Sequence, residues 1–245
     1  MITVSRLRVK IFADGASLAE MTAWAARPEI RGFTTNPTLM RQAGVQDYEA
    51  FARDVLRAIP DRPISFEVFS DEFGEMERQA RQIAAWGENV YVKIPITNTQ
   101  GYPSAGLVRR LSQAGVKVNV TAVLSLGQVQ EAAHALAGGA PSNLSVFAGR
   151  IADTGRDPMP LMREALSIVK PMPSIEVIWA SPREALNVYQ ADEVGCHIIT
   201  ATGAILDKLA LAGKDLDEFS LDTVRMFRGD AVKAGYQLSG DGQPA

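Results

Sequence analysis

Short apolar runs recur along this chain with gaps far too long for hairpin turns, and that spacing limits the fold more than any other feature. The runs are "VKIFA" (9–13), "GFTT" (32–35), "ISFEVF" (64–69), "VYVKIPI" (90–96), "VKVNVTAV" (116–123), "LSVFAG" (144–149), "IEVIWA" (175–180) and "CHIIT" (196–200). Antiparallel neighbours need only a tight turn, whereas parallel strands need a crossover, usually a helix. The gaps hold amphipathic segments suited to that role. In "DEFGEMERQARQIAAWG", Met76, Ala80, Ile83 and Ala84 fall at helical spacing with charges on the other face. In "SAGLVRRLSQAG", Leu107, Val108 and Leu111 turn inward, and Gly115 stands where a helix stops. "SLGQVQEAAHALAGG" and "DPMPLMREALSIVKP" repeat the form. "SPREALNVYQADEVG" does so too, with Ser181 as N-cap and Pro182 at the first helical position.

Strand–helix alternation without a break in composition predicts an α/β fold, a single (β/α)8 TIM barrel over residues 1–214. A doubly wound open sheet is the rival. It would carry a glycine-rich loop after its first strand, and "ADGAS" is not one. Residues 215–245 add an amphipathic helix, from about Asp215 to Leu238, with no strand to lead to. That helix must pack on the barrel or on a neighbouring subunit. The last six residues, "GDGQPA", read as a frayed end.

Composition narrows the function classes. A net charge of −3 with no basic block argues against nucleic acid or an anionic membrane as the partner. No run approaches a membrane span, and "MITVSRLRVKIFADGAS" lacks a signal peptide's apolar region, so a cytoplasmic location is expected. Cys196 is the only cysteine, which excludes an intramolecular disulfide, and its place in an apolar run suits core packing. Two histidines and one cysteine without ligand spacing give no metal site.

In a barrel of this kind chemistry sits at the carboxyl ends of the strands. Polar residues accumulate at those ends. The first strand delivers Asp14, and the second ends in Thr34, Thr35 and Asn36. Glu67 lies in the third and Lys93 in the fourth, while Asn119 and Thr121 alternate on the fifth. The sixth carries Ser145 and Phe147, followed by Arg150 and Asp153; the seventh is followed by Ser181 and Arg183. Each has an ordinary explanation. Asp14 could cap the helix from Ser17, "TTNP" could be turn chemistry, and Lys93 and Glu67 could face solvent. Arg150 and Arg183 could be surface ion-pair partners. Those explanations would have to coincide at nearly every strand end, and the Asn119/Thr121 face should look into the barrel because Val118 and Val120 take the other face. Together the residues are the equipment of a Schiff-base aldolase. Lys93 would attack a ketone, the carboxylates would move protons, and Arg150, Arg183 and Ser181 would cradle a phosphate.

At this point the stretches "FADGA", "GFTTNPTLM", "SFEVF", "VYVKIPIT", "VNVTAVLS", "SVFAGRIADTG" and "ASPREALNV" resemble, in order, the transaldolase family, in particular its short single-domain branch related to fructose-6-phosphate aldolases. "VRMFRGDAVKAGYQL" resembles that branch's last helix. The resemblance implies a cofactor-free transaldolase of the pentose phosphate pathway, moving a dihydroxyacetone unit from sedoheptulose 7-phosphate or fructose 6-phosphate to an aldose phosphate. It assigns the Schiff base to Lys93, the proton acceptor to Asp14, and acid/base work through a bound water to Glu67 with Thr121. Asn36, Asn119 and Ser145, with Thr34 beside them, match residues that hydrogen-bond the sugar. Arg150, Ser181 and Arg183 match the phosphate site. It also implies a homo-oligomer, as large as a decamer, with the last helix crossing to a neighbour.

Two positions discriminate within the family. The aldolase branch usually has Gln at position 67 and Tyr at position 147, where this chain has Glu67 and Phe147. A Tyr hydroxyl near the carbanion could protonate and release it; Phe cannot, which favours transfer. Gly15 after the Asp and Pro182 in "ASPRE" depart from common family residues. The alternatives are a fructose-6-phosphate-type aldolase, a transaldolase for a sugar bearing another anionic group, and, more remotely, a non-catalytic sugar-phosphate-binding barrel.

Overall fold

A computed structural model of the protein describes residues 4–238, so the closing "GDGQPA" stretch lies outside the described residues. The chain divides into two compact units, Ile2–Ala210 and a second that begins at Leu211. In the first, β1 (Lys10–Asp14) leads to α1 (Leu18–Ala25), and β2 (Ile30–Thr34) to α2 (Pro37–Gln42) and α3 (Tyr48–Ala58). Then come β3 (Ile64–Glu67), α4 (Phe73–Ala84), β4 (Val90–Pro95) and α5 (Ala105–Gln113). They are followed by β5 (Val118–Val123), α6 (Leu126–Leu136), β6 (Ser142–Val146), α7 (Ala148–Asp153) and α8 (Met159–Val169). The unit ends with β7 (Ile175–Trp179), α9 (Leu186–Glu193), β8 (Ile198–Thr202) and α10 (Gly203–Lys208). The strands are parallel and run in sequence order around a closed barrel, sealed where Lys10 to Asp14 of β1 pair with Ile198 to Thr202 of β8. This is the expected TIM barrel.

Local signals explain the turns. Ser17, Asp47 and Ser125 accept from backbone amides at the starts of α1, α3 and α6, and Gly115 stops α5 with φ +87°. The main core lies between strands and helices, where Phe33, Phe66, Val118, Val120 and Trp179 are fully buried. Each such side chain contributes about 1.5–3 kcal/mol relative to exposure. That outer layer carries the stability, and the barrel's inside is left open to polar groups. The interior apolar cluster is small: Phe12, Ile178, Ala180 and Ile198, with Phe147 against it. Gly32 admits the Phe12 ring, since a Cβ there would lie 2.5 Å from it.

Cys196 is buried as expected. Its thiol, 3.2 Å from the Ile198 carbonyl and 3.3 Å from that of Val177, is pushed up to about 12 by burial. It packs and does not react.

Two boundaries differ from the sequence reading. β6 ends at Val146 and Phe147 holds the position before α7, so Ala148 and Gly149 are helical and not strand. Ser181 is not an N-cap and Pro182 does not open a helix, because α9 starts only at Leu186. Arg183 therefore sits in a loop, where its amide donates to Asn187 Oδ1 at 2.7 Å. Ser181 adopts φ +59°, a left-handed conformation unlike the extended one of an N-cap.

The second unit contains α11 (Leu216–Ala234), capped by Asp215, whose side chain accepts from the amides of Asp217 and Glu218. Within it Lys214 forms an ion pair with Asp222. No residue of α11 is buried, and Val224, Met226 and Phe227 stand exposed along it. Among the described residues no helix is long and apolar enough to cross a membrane.

Candidate active site

A cavity of about 580 Å³ opens at the carboxyl ends of the strands, and Lys93 stands in its wall. In β4, Val92 and Ile94 go to the outer core, so the two-residue period turns Lys93 into the barrel. The residue is only 6% exposed. Its Nζ lies 2.9 Å from Glu67 Oε2 and donates to the Thr35 carbonyl at 2.9 Å. Glu67 is the register partner of Lys93 on the neighbouring strand β3, which is why the two ends meet. An uncompensated ammonium at this depth would be costly, and this carboxylate compensates it.

Asp14 shares the cavity from β1. Thr34 Oγ1 donates to its Oδ1 at 2.7 Å, and Thr34 Oγ1 is in turn 2.5 Å from Thr200 Oγ1. Burial raises the Asp14 carboxyl above its ordinary value, and the charge of Glu67 adds to that; Lys93 and the Thr34 hydroxyl pull the other way without cancelling it. A carboxyl shifted upward holds a proton more readily than a free one, which suits proton transfer.

Thr121 reaches the same cavity from β5, and its buried Oγ1 has no hydrogen-bond partner among the described residues. β5 is irregular here: Ala122 has φ +62°, and the register with β6 shifts between Val120 and Val123. Ser145 also lines the cavity, donating to Asn119 Oδ1 at 2.7 Å. Asn36 lines it as well, but its Oδ1 accepts from Leu39 N at 3.0 Å as the cap of α2, leaving the amide NH2 for a ligand. Asn36 of "TTNP" thus caps α2 and lines the cavity at once.

Asn119 departs from the expectation. It is fully buried, does not reach the cavity wall, and is held from both ends, since its Nδ2 donates to Ser65 Oγ at 3.0 Å. It supports Ser145 from below. Asn119 pairs in register with Lys93, so both start at the same depth, and only the lysine's long stem climbs to the cavity.

The residues after β6 and β7 give the cavity a basic corner. Phe147, Arg150, Ser181 and Arg183 all line it. The Arg150 guanidinium lies 5.9 Å from the centre of the Phe147 ring. Arg183 forms an ion pair with Asp153, its Nε donating to Oδ1 at 2.8 Å. Those hydrogen bonds hold the Asp153 carboxyl below its usual value and Arg183 above its own. Two arginines against one aspartate leave the corner one net positive charge. Gly149 brings the two segments together: a Cβ there would lie 1.6 Å from the Ser181 carbonyl oxygen, so only glycine allows this approach.

Sequence reasoning missed Ser65 and Thr200. Both stand two residues from a neighbour on the same strand face, Ser65 before Glu67 and Thr200 before Thr202. The two-residue period was therefore a usable signal.

Comparisons with known proteins bear on the fold and the family. Several solved barrels share the fold at low identity. An HpcH/Hpal aldolase/citrate lyase family protein from Burkholderia cenocepacia superposes with TM-score 0.58 at 17% identity, covering 91% of this chain and 98% of its own. A 2,3-dimethylmalate lyase superposes with TM-score 0.55 at 14% identity, covering 100% and 93%. Sequence relatives are nearer. A probable transaldolase of Dehalococcoides mccartyi is 36% identical over 199 residues, 81% of this chain and 88% of the relative. A probable transaldolase of Methanococcus maripaludis is 34% identical over 218 residues, 87% of this chain and 97% of the relative. A probable transaldolase 2 of Listeria monocytogenes is 34% identical over 87% of this chain. The family described as Transaldolase/Fructose-6-phosphate aldolase matches residues 11–238. With that match across nearly the whole barrel and its tail, the chain belongs to the transaldolase/fructose-6-phosphate aldolase family.

Proposed function

We propose that the protein is a transaldolase that carries a dihydroxyacetone unit between sugar phosphates as a Schiff base on Lys93, without a cofactor. The observation that carries this reading is the 2.9 Å pair of Lys93 Nζ with Glu67 in a cavity shared with Asp14. Glu67 takes a proton from the Lys93 ammonium, and the free amine attacks the ketose C2 carbonyl. Glu67 then returns the proton, through a water held by Thr121, to the carbinolamine hydroxyl, which leaves as water. The iminium draws the electron pair of the C3–C4 bond as that bond breaks, and Asp14 receives the proton of the C4 hydroxyl. The aldose phosphate departs, and an enamine of dihydroxyacetone stays on Lys93. An acceptor aldehyde reverses these steps. The net positive corner of Arg150, Ser181 and Arg183 suits the phosphate that donor and acceptor share.

Phe147 supports transfer over release, because its ring has no proton to give the enamine. By the same family likeness, we propose a cytoplasmic enzyme of the pentose phosphate pathway that assembles as a homo-oligomer. Reduction with borohydride in the presence of fructose 6-phosphate tests the chemistry. A mass increment on the peptide containing Lys93, absent in Lys93→Met, is expected; an adduct on another lysine overturns the assignment. Phe147→Tyr should increase the release of free dihydroxyacetone without acceptor, and an unchanged ratio counts against transfer as this chain's reaction.

A further inference from the structure

One buried hydroxyl in the cavity wall has no role in the chemistry above. Thr200, on β8, is 6% exposed and lines the cavity beside Asp14 and Thr34. Strand β1 lies between β2 and β8, so Asp14 pairs with Thr34 on one side while Phe12, two residues earlier, pairs with Thr200 on the other. Three adjacent strands thereby deliver a carboxyl and two hydroxyls to one spot.

The protons in this group can be counted. Thr34 Oγ1 donates to Asp14 Oδ1 at 2.7 Å. A hydroxyl has one proton, so Thr34 has none left for Thr200. At 2.5 Å the two threonine oxygens are in hydrogen-bond contact, and while the ionised Asp14 accepts from Thr34 the donor is Thr200. We propose that Thr200 is a positioning residue for the proton acceptor. By donating to Thr34 Oγ1 it commits the Thr34 proton to Oδ1 of Asp14 and leaves Oδ2 to receive the substrate proton.

The inference rests on the proposed role of Asp14 and adds a reason for its geometry. As the C3–C4 bond breaks, its electron pair enters the iminium and the hydroxyl proton moves to Oδ2. The bond from Thr34 to Oδ1 is untouched by that transfer. The carboxyl is therefore held at one angle in both protonation states, which an isolated hydroxyl free to rotate could not ensure. Other charges face Asp14 as well: Lys93 from β4 and Glu67 from β3, with Glu20 of α1 and Asp207 of α10 on an adjoining cavity. All of them remain when only Thr200 is changed.

The test is ¹³C-carboxyl NMR of the full-length, aspartate-labelled protein, with the Asp14 signal identified by its loss in Asp14→Asn. Thr200→Val keeps the shape and removes the donor. It should raise the Asp14 midpoint by about half a pH unit or more, because the carboxylate loses an oriented hydrogen bond. Thr200→Ser should restore the parent midpoint. Combining Thr34→Val with Thr200→Val should shift it no further than Thr34→Val alone, because Thr200 acts only through Thr34. A parent-like midpoint in Thr200→Val, or additive shifts in the double variant, overturns the proposal. If Thr200→Val does not fold, Thr200→Ala serves the same comparison. Borohydride trapping is scored separately. Trapping retained with an unshifted midpoint removes the hydroxyl chain alone, whereas trapping lost from the parent with a coupled midpoint removes the Lys93 chemistry and not the chain.

Discussion

Asp14 illustrates what a single buried carboxyl costs its own fold. Its carboxyl binds a proton more tightly in the folded protein than in the unfolded chain, because burial penalises the charged form. A group raised in this direction favours the folded state below its unfolded value, and that contribution is lost as pH rises through its folded value. At pH 7–8, above the unfolded value, Asp14 therefore burdens the fold. Asp14→Asn should melt at the same or a higher temperature there, while the advantage vanishes at pH 3. Each kcal/mol of relief is worth about 2–4 °C for a chain of this size. Transfer activity should fall by at least 100-fold, since the asparagine cannot accept the proton. A scan of both variants across pH checks both halves, and a lower melting temperature at neutral pH contradicts the argument. The sequence made Asp14, Glu67 and Lys93 legible because each interrupts an apolar run at a strand end. It did not show depth. Period two tells that Asn119 faces inward, yet whether an inward residue meets a ligand depends on its height along the barrel axis. That height follows from register between strands distant in sequence.

Among elements, the contact between α7 and the loop after β7 shapes the basic corner of the cavity. The strands were legible because β-branched alternation is a local property. The β6–α7 boundary was not, since "LSVFAG" continues the apolar pattern into a helix that starts without a side-chain cap. Nor was the late start of α9, because Ser–Pro is an ordinary helix opening. What overrides it is tertiary: Ser181 lies against Gly149 and holds a left-handed backbone that costs about 1–2 kcal/mol. The strain places Ser181 and Arg183 beside Arg150. Gly149→Ala must push the two segments apart, so KM for a phosphorylated donor should rise at least tenfold and more than kcat falls. Stability should drop by about 1–3 kcal/mol, as in overpacked cores. Steady-state kinetics with a thermal melt decides this. Unchanged KM would mean the close approach does not serve the anion site.

At the scale of the whole molecule, the exposed apolar residues of α11 bear on assembly. Val224 is 59% exposed, Met226 53% and Phe227 64%, on a helix with no buried residue. Such a face fits the proposed homo-oligomer, in which it would be covered. Light scattering on the full-length chain should give a mass that is a multiple of 26.4 kDa, and a mass of one chain dismisses the oligomer.

The solitary thiol has another consequence. Cys196 is the sole cysteine, is buried between β7 and the start of β8, and is kept protonated by its surroundings. A thiol reagent therefore finds nothing to label until the β7–β8 seam parts. With reagent in excess, so that trapping outruns reclosure, the labelling rate becomes the opening rate of the barrel itself. Bound ketose phosphate should slow that rate if the cavity holds the strands together. The molecule thus carries a single internal clock for its own unfolding, readable by mass spectrometry without any added probe site.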